Sequence, residues 1–126
     1  MDTFELYKCL TDLQRVRLLN LLTEGPLCVC HLQTLLRAPQ VKISKQLAYL
    51  KALKIVHAER RGTWMIYHLS NPSPDLLMMN LKSLREGSDA NARTLQKDSA
   101  ARKKLLSDLS TPKSKCPEKL FTALCC

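Results

Sequence analysis

Aliphatic residues recur at helical spacing through the first half of the chain and then give way to β-like alternation. Residues 4–10 form a short amphipathic stretch. Leu13, Val16, Leu19 and Leu22 then repeat at three-residue steps until Gly25-Pro26 breaks the pattern. Steps of three and four place side chains on one helical face, so a core-facing helix running to about residue 23 is predicted, with Arg15 and Arg17 turned outward. Thr11-Asp12-Leu13-Gln14 has the T-x-x-Q form of a capping box, which predicts that Thr11 opens this helix. A third helix over residues 29–36 carries Leu32, Leu35 and Leu36, and the break at Ala38-Pro39 separates it from a fourth over 40–53. In the fourth, Ile43, Leu47, Leu50 and Leu53 make the apolar stripe, while Gln40, Lys42, Lys45, Gln46 and Tyr49 lie on other faces. Two helices joined by a short break form a helix-turn-helix.

Beyond Lys54 the period changes. Residues 55–59 and 64–69 are β-leaning runs about the basic turn Arg60-Arg61-Gly62-Thr63, which predicts a β-hairpin with a charged tip, packed on the core by Trp64 and Tyr67. Asn71-Pro72-Ser73-Pro74 ends it, and residues 75–86 form a helix with Leu76, Leu77, Met78, Met79, Leu81 and Leu84, too apolar to stand alone and suited to a second subunit. A charged, Ala-rich helix is predicted over 88–110, followed by a flexible tail over 111–126 that carries Cys116, Cys125 and Cys126. The expected fold is mainly α with a small β-hairpin, a winged helix-turn-helix that forms a homodimer. Residues 1–87 would make the DNA-binding and dimerisation domain.

Composition narrows the function. A chain of 126 residues supports one core. Its 20 Lys+Arg against 11 Asp+Glu give a net charge of +9, which suits a polyanionic partner. The charge is concentrated: Arg37, Lys42, Lys45, Lys51, Lys54, Arg60 and Arg61 face only Glu59 between residues 37 and 61. Six cysteines can signal a secreted disulfide scaffold, but the 45% hydrophobic content supports a core without staples and no apolar leader follows the start, so a reduced cytoplasm is expected. No stretch approaches the roughly 20 apolar residues of a membrane span, so no membrane partner is expected.

The chemistry concentrates in Cys28-Val29-Cys30, between the Gly25-Pro26 break and the basic helix. Thiolates bind soft acceptors, and a helix N-terminus favours the thiolate by its partial positive charge. Soft metals and metalloids, trivalent arsenic and antimony among them, are the matching acceptors. On a regular helix residues i and i+2 lie about 200° apart, so a shared ion requires the first turn of the third helix to be irregular or to unwind. The bland alternative is a pair of small buried hydrophobes.

Four words in this order resemble the ArsR/SmtB family of winged-helix repressors: residues 10–19 (LTDLQRVRLL), 27–32 (LCVCHL), 40–47 (QVKISKQL) and 61–67 (RGTWMIY). The match covers roughly residues 3 to 86. The resemblance implies a homodimer joined through its first and fifth helices, with the fourth helices in successive major grooves of double-stranded operator DNA and the wings on flanking DNA. It gives Gln40, Val41, Lys42, Ser44, Lys45 and Gln46 as reading positions, and Arg60, Arg61 and Thr63 as wing contacts. The Cys28-Val29-Cys30 word is similar to that of arsenite-responsive members, in which the inducer lowers operator affinity. Such sensors often carry a third cysteine three residues on, where this chain has Gln33. Either two thiolates suffice, or a third comes from Cys116, Cys125 or Cys126, or from Cys9, which reads as core. Some members bind ions through Asp and His on the fifth helix, but residues 75–86 contain no histidine. His31, directly after the pair, could supply a nitrogen to zinc or face solvent, and solvent is the expectation. A thiol redox sensor or another soft-metal sensor on the same fold is the nearest alternative. A small thiol oxidoreductase is disfavoured, because the spacing is Cys-x-Cys and no βαβ pattern surrounds it; no enzyme is expected.

Overall fold

Leu18, Leu19, Leu32, Ile43, Leu47, Leu50, Leu77 and Leu81 are sealed from solvent in one core fed by six helices. In this computed structural model, which describes residues 2–109, the order is α1 (Thr3–Cys9), α2 (Leu13–Leu22), β1 (Leu27–Cys28), α3 (Val29–Leu36), α4 (Gln40–Ala52), β2 (Val56–Arg61), β3 (Trp64–Leu69), α5 (Asp75–Glu86) and α6 (Ala90–Leu109). The mainly helical winged helix-turn-helix is as expected, since the aliphatic stripes of α3 and α4 meet over the same core. No helix among the described residues is long and apolar enough to cross a membrane. The tail over 111–126 lies outside the described residues.

The sheet corrects the expectation of a simple hairpin. It has three antiparallel strands in the order β1-β3-β2, with Leu27 opposite Tyr67 and Cys28 opposite Ile66. Arg60 and Arg61 belong to β2, so the turn is only Gly62-Thr63, with Arg61 paired to Trp64 across it. Gly62 has φ 63°, the positive value that a two-residue hairpin turn demands at this position and that glycine adopts without penalty.

Polar groups decide how the helices dock. Asp12, and not Thr11, caps α2: its Oδ1 accepts from the amides of Gln14 (2.8 Å) and Arg15 (3.4 Å), while the Thr11 hydroxyl donates to the Lys8 carbonyl. Leu13, the first residue of the helix, is consequently 45% exposed instead of joining the core stripe. Neither arginine of α2 is turned outward as expected. Arg15 lies 4.3 Å over the Tyr49 ring and donates to the Cys9 carbonyl, tying α1, α2 and α4 together. Arg17 makes a two-pronged bond to Asp98 of α6, at 2.7 and 2.9 Å. This bond raises the Arg17 pKa against the opposing effect of burial.

Asn20, 1% exposed, completes the docking of α6. Its amide donates to the Leu95 carbonyl and Ser99 Oγ, and its oxygen accepts from Arg85 of α5. At the other end of α2, Arg102 is buried and meets Glu24 at 3.7 Å; burial lowers its pKa and the carboxylate partly offsets this. Gly25 has φ 140°, a backbone conformation that favours glycine, and a side chain there would begin 3.2 Å from the Arg102 guanidinium, which would have to give slightly. Because Asp98 is almost fully buried, Arg17→Ala strands a carboxylate without its partner. Urea denaturation should show a loss of about 2–4 kcal/mol; a change within ±0.5 kcal/mol would mean that the pair does not hold α6.

Candidate DNA-reading surface and thiol site

The stripe of α4 that faces the core leaves its other faces to solvent. Gln40, Lys42, Ser44 and Lys45 are exposed, and Val41 is 66% exposed. Gln46 is half-buried, its amide 3.4 Å from Asp12 Oδ2. Arg60, Arg61 and Thr63 are exposed at the end of the hairpin, with Arg61 3.4 Å from Glu59 in a solvent-facing pair that constrains it little. The two predicted DNA-facing sets therefore form two separate exposed elements, the outer faces of α4 and the tip of the β2-β3 hairpin.

The predicted thiol pair sits at the joint between them. Cys28 is the last residue of β1 and also the N-cap of α3, with extended backbone (φ −87°, ψ 164°), whereas Cys30 is the second residue of the helix. The difficulty of two cysteines at i and i+2 is thus resolved without unwinding, since only one of them is helical. Their Cα atoms are 5.5 Å apart and the two sulfurs meet in disulfide contact. Cys28 is buried and Cys30 half-buried, so this is a recessed pair with one accessible member. A cleft of about 220 Å³ opens beside it, walled by Gln33 of α3, Gln40 at the start of α4 and Thr63, Trp64 and Met65 at the wing. One small cavity therefore touches the cysteine pair, the start of α4 and the wing.

His31 departs from expectation. It is 1% exposed and not solvent-facing, and its ring nitrogens and the two sulfurs bring one ligand atom each to within 4.8 Å of one another. This is the one cluster of three or more such residues among the described residues. Cys9 stands apart, fully buried in α1, and Cys116, Cys125 and Cys126 lie outside the described residues.

A profile described as bacterial regulatory protein, arsR family, matches residues 12–58, from the cap of α2 into β2. The arsenic resistance transcriptional regulator ArsR1 of Pseudomonas putida is 39% identical over 93 residues, which cover 73% of this chain and 70% of that protein. The chain belongs to the ArsR family. The arsenical resistance operon repressor of Escherichia coli is 41% identical over 71 residues, 56% of this chain and 61% of the repressor. Among solved structures, HlyU of Vibrio cholerae superposes with a TM-score of 0.58 over 65% of this chain and 86% of its own, at 23% identity, a likeness of fold. As an ArsR-family protein the chain is a DNA-binding transcriptional regulator and not an enzyme.

Within this ArsR-family chain the cysteines divide by environment. Burial, only partly opposed by the charge of Arg15, pushes the Cys9 thiol up to about 11 from an ordinary 9.0. The folded state therefore holds the Cys9 proton more tightly than the unfolded one. The resulting stability is present below pH 9 and is lost as the pH rises towards 11. In the reduced protein at pH 8, peptide mapping after brief iodoacetamide treatment should find Cys30 alkylated well ahead of Cys28, and Cys9 unlabelled until urea is added. Rapid labelling of Cys9 in the native protein would contradict its assignment to the core.

Proposed function

We propose that the chain is a homodimeric, cytoplasmic repressor that releases its operator when trivalent arsenic bridges Cys28 and Cys30. Antimony(III), or a trivalent arsenical with one methyl group, is a chemically equivalent ligand for two thiolates. The observation that carries this reading is the meeting of the two sulfurs at the β1-α3 junction, beside a cleft shared by the start of α4 and the wing. The names of the relatives, regulators of arsenic resistance, agree with it.

The chemistry is a ligand exchange. Arsenous acid gives up two hydroxides, each leaving as water with a thiol proton, and two arsenic–sulfur bonds form. The pair must be reduced beforehand. Cys28 is paired to β3 through Ile66 and Cys30 lies in α3, so an ion held by both couples the sheet of the wing to the helix that supports α4. A shift at this joint changes the angle between two DNA contacts that must engage together, and coupling of about 1–3 kcal/mol is typical of such linkage.

For DNA, Gln40, Val41, Lys42, Ser44, Lys45 and Gln46 are the reading set in the major groove. Arg60, Arg61 and Thr63 are positioning contacts on phosphate or in the minor groove. Dimerisation through α1 and α5 is supported by their exposed apolar residues, Phe4 at 78% and Met79 at 68%. Their N-terminal ends also meet, with Leu6 and Leu76 lining one crevice. A thiol redox sensor remains the second reading, favoured by the same disulfide contact.

Fluorescence anisotropy on operator DNA tests both. Arsenite should release the reduced wild type, whereas Cys28→Ser/Cys30→Ser should bind DNA and ignore arsenite. Release by peroxide without release by arsenite would replace the arsenic reading with the redox one. In the same assay Arg61→Ala should lower the slope of log affinity against log salt by about 2, equally on operator and unrelated DNA, as loss of one phosphate contact from each subunit of the dimer does. Gln40→Ala should instead lose about 1–3 kcal/mol on the operator alone; identical behaviour of the two variants would remove the division between wing and reading helix.

A further inference from the structure

We propose that His57 and His68, paired across the two strands of the wing, form a chelating site for one divalent transition cation of the copper, nickel and zinc class. The site is separate from the cysteine pair and does not rest on the arsenic reading. Its two residues share no helix and are distant in sequence, so only the strand register brings them together.

Register is the first feature. His57 of β2 lies directly opposite His68 of β3 in the antiparallel ladder, and their ring centroids are 5.7 Å apart with the planes tilted by 34°. Directly opposed side chains are the closest pairs that a ladder provides. Two imidazoles on one tetrahedral ion, with bonds of about 2.0–2.1 Å, place their ring centres roughly 5–5.5 Å apart. The strands therefore hold the rings near a chelating separation before any ion arrives.

The second feature is the proton on each ring, which the surroundings assign. His68 Nδ1 lies 3.0 Å from the Leu69 carbonyl, which can only accept, so Nδ1 donates and carries the proton of that ring. Ser70 Oγ donates its single hydrogen to the Lys54 carbonyl, and it therefore accepts from His57 Nε2, 3.0 Å away. In the neutral rings the lone pairs are consequently on His57 Nδ1 and His68 Nε2. Neither atom has a hydrogen-bond partner among the described residues. Metal-binding histidines take this form, because a bond donated from one ring nitrogen to an oxygen fixes the tautomer and makes the other nitrogen a better ligand.

The third is access and charge. His57 is exposed and His68 half-buried, so an ion can enter from solvent and keep water in its remaining positions. Neutral imidazoles supply no countercharge, and the carboxylate of Glu59 is engaged by Arg61 at 3.4 Å. Hard cations that depend on carboxylate oxygens are therefore disfavoured, whereas metals that bond well to imidazole are not, and the first-row order makes Cu(II) the tightest of them. The pair is at the base of the hairpin, away from the turn at Gly62-Thr63, so an ion there staples β2 to β3.

The test uses the full-length reduced chain with its accessible thiols capped by iodoacetamide, so that sulfur neither reduces nor binds Cu(II). The expected result is one Cu(II) per chain, with an electron paramagnetic resonance spectrum that shows coupling to two nitrogens. His57→Gln and His68→Gln should each weaken Cu(II) binding at least about tenfold, since even losing the hydrogen-bond partner of a ligand costs that much. The double variant should lose little more than either single one, as a chelate already broken does. As a check that needs no variant, long-range proton–nitrogen spectra of the capped chain should show His57 protonated at Nε2 and His68 at Nδ1, and adding Zn(II) should shift both rings together. Unchanged Cu(II) affinity in either single variant, or movement of only one ring with Zn(II), would overturn the proposal. Absence of Cu(II) binding to the capped chain would overturn it too, and would leave the arsenic reading untouched, since that reading is tested on uncapped thiols.

Discussion

Two residues of backbone pairing, Leu27 against Tyr67 and Cys28 against Ile66, determine where everything chemical in this molecule can stand. The pairing holds Cys28 extended up to the point at which α3 begins, so that a strand end and a helix start share one peptide. Without it the segment after Gly25-Pro26 would be a loop, and Cys28 and Cys30 would diverge around a helix or wander. With it, the sulfurs meet, the His31 ring turns inward and the joint is bonded to the same strand, β3, that carries the wing. A β-strand of two residues contributes little to stability by itself. Its importance is as a hinge pin between the two elements proposed to read DNA.

A second constraint keeps that joint from drifting. Helix α2 runs beneath it and is clamped to α6 by charged and amide groups: Arg17 to Asp98, Asn20 to Leu95 and Ser99, Arg102 to Glu24. Buried polar groups of this kind are weak evidence for net stability, because desolvation offsets most of what their bonds contribute. They are better understood as fixing one docking geometry, since a slipped helix would leave each of them without a partner, whereas slipped leucines find other leucines. The aliphatic core supplies the driving force and these bonds supply the register of α6.

The sequence revealed what periodicity can reveal. The bounds of α3 and α5 were legible to the residue, because each is a leucine-rich run between a proline or glycine break and a change of period. The exposed face of α4 followed from the stripe of Ile43, Leu47 and Leu50 behind it. Strand β1 was illegible because two residues cannot display a period of two, and only its partner, distant in sequence, makes it a strand. Arg15 and Arg17 appeared solvent-facing because local pattern cannot register that Tyr49 and Asp98 arrive from elsewhere to meet them. The capping box misled for a related reason: Thr11 and Asp12 both cap helices well, and the choice between them depended on where α1 ended. His31 was the most consequential misreading. A histidine after two cysteines looks polar and external, and its burial follows only from the strand that turns this first helical turn inward. The faint signal available was the three-residue step from Cys28, the spacing of first-turn partners.

The location of the thiol site also limits how an effector can act. A ligand shifts a conformational equilibrium only by the difference in its affinity for the two states, so on the proposed reading the cluster must be better formed off the operator than on it. The cleft shows how this can arise with no distant relay. Gln40 and Thr63 line it, and both are proposed DNA contacts; when they turn towards a base or a phosphate they leave the cleft wall, and when they stay they complete it. Operator and effector then compete for the orientation of the same two elements, and linkage makes the effect reciprocal, with DNA weakening the effector as much as the effector weakens DNA. A sensor whose ligands lay on α5, at the proposed subunit interface, would need the whole dimer to transmit its signal. With the ligands at the β1-α3 joint, the signal has to cross only one turn of helix and one strand.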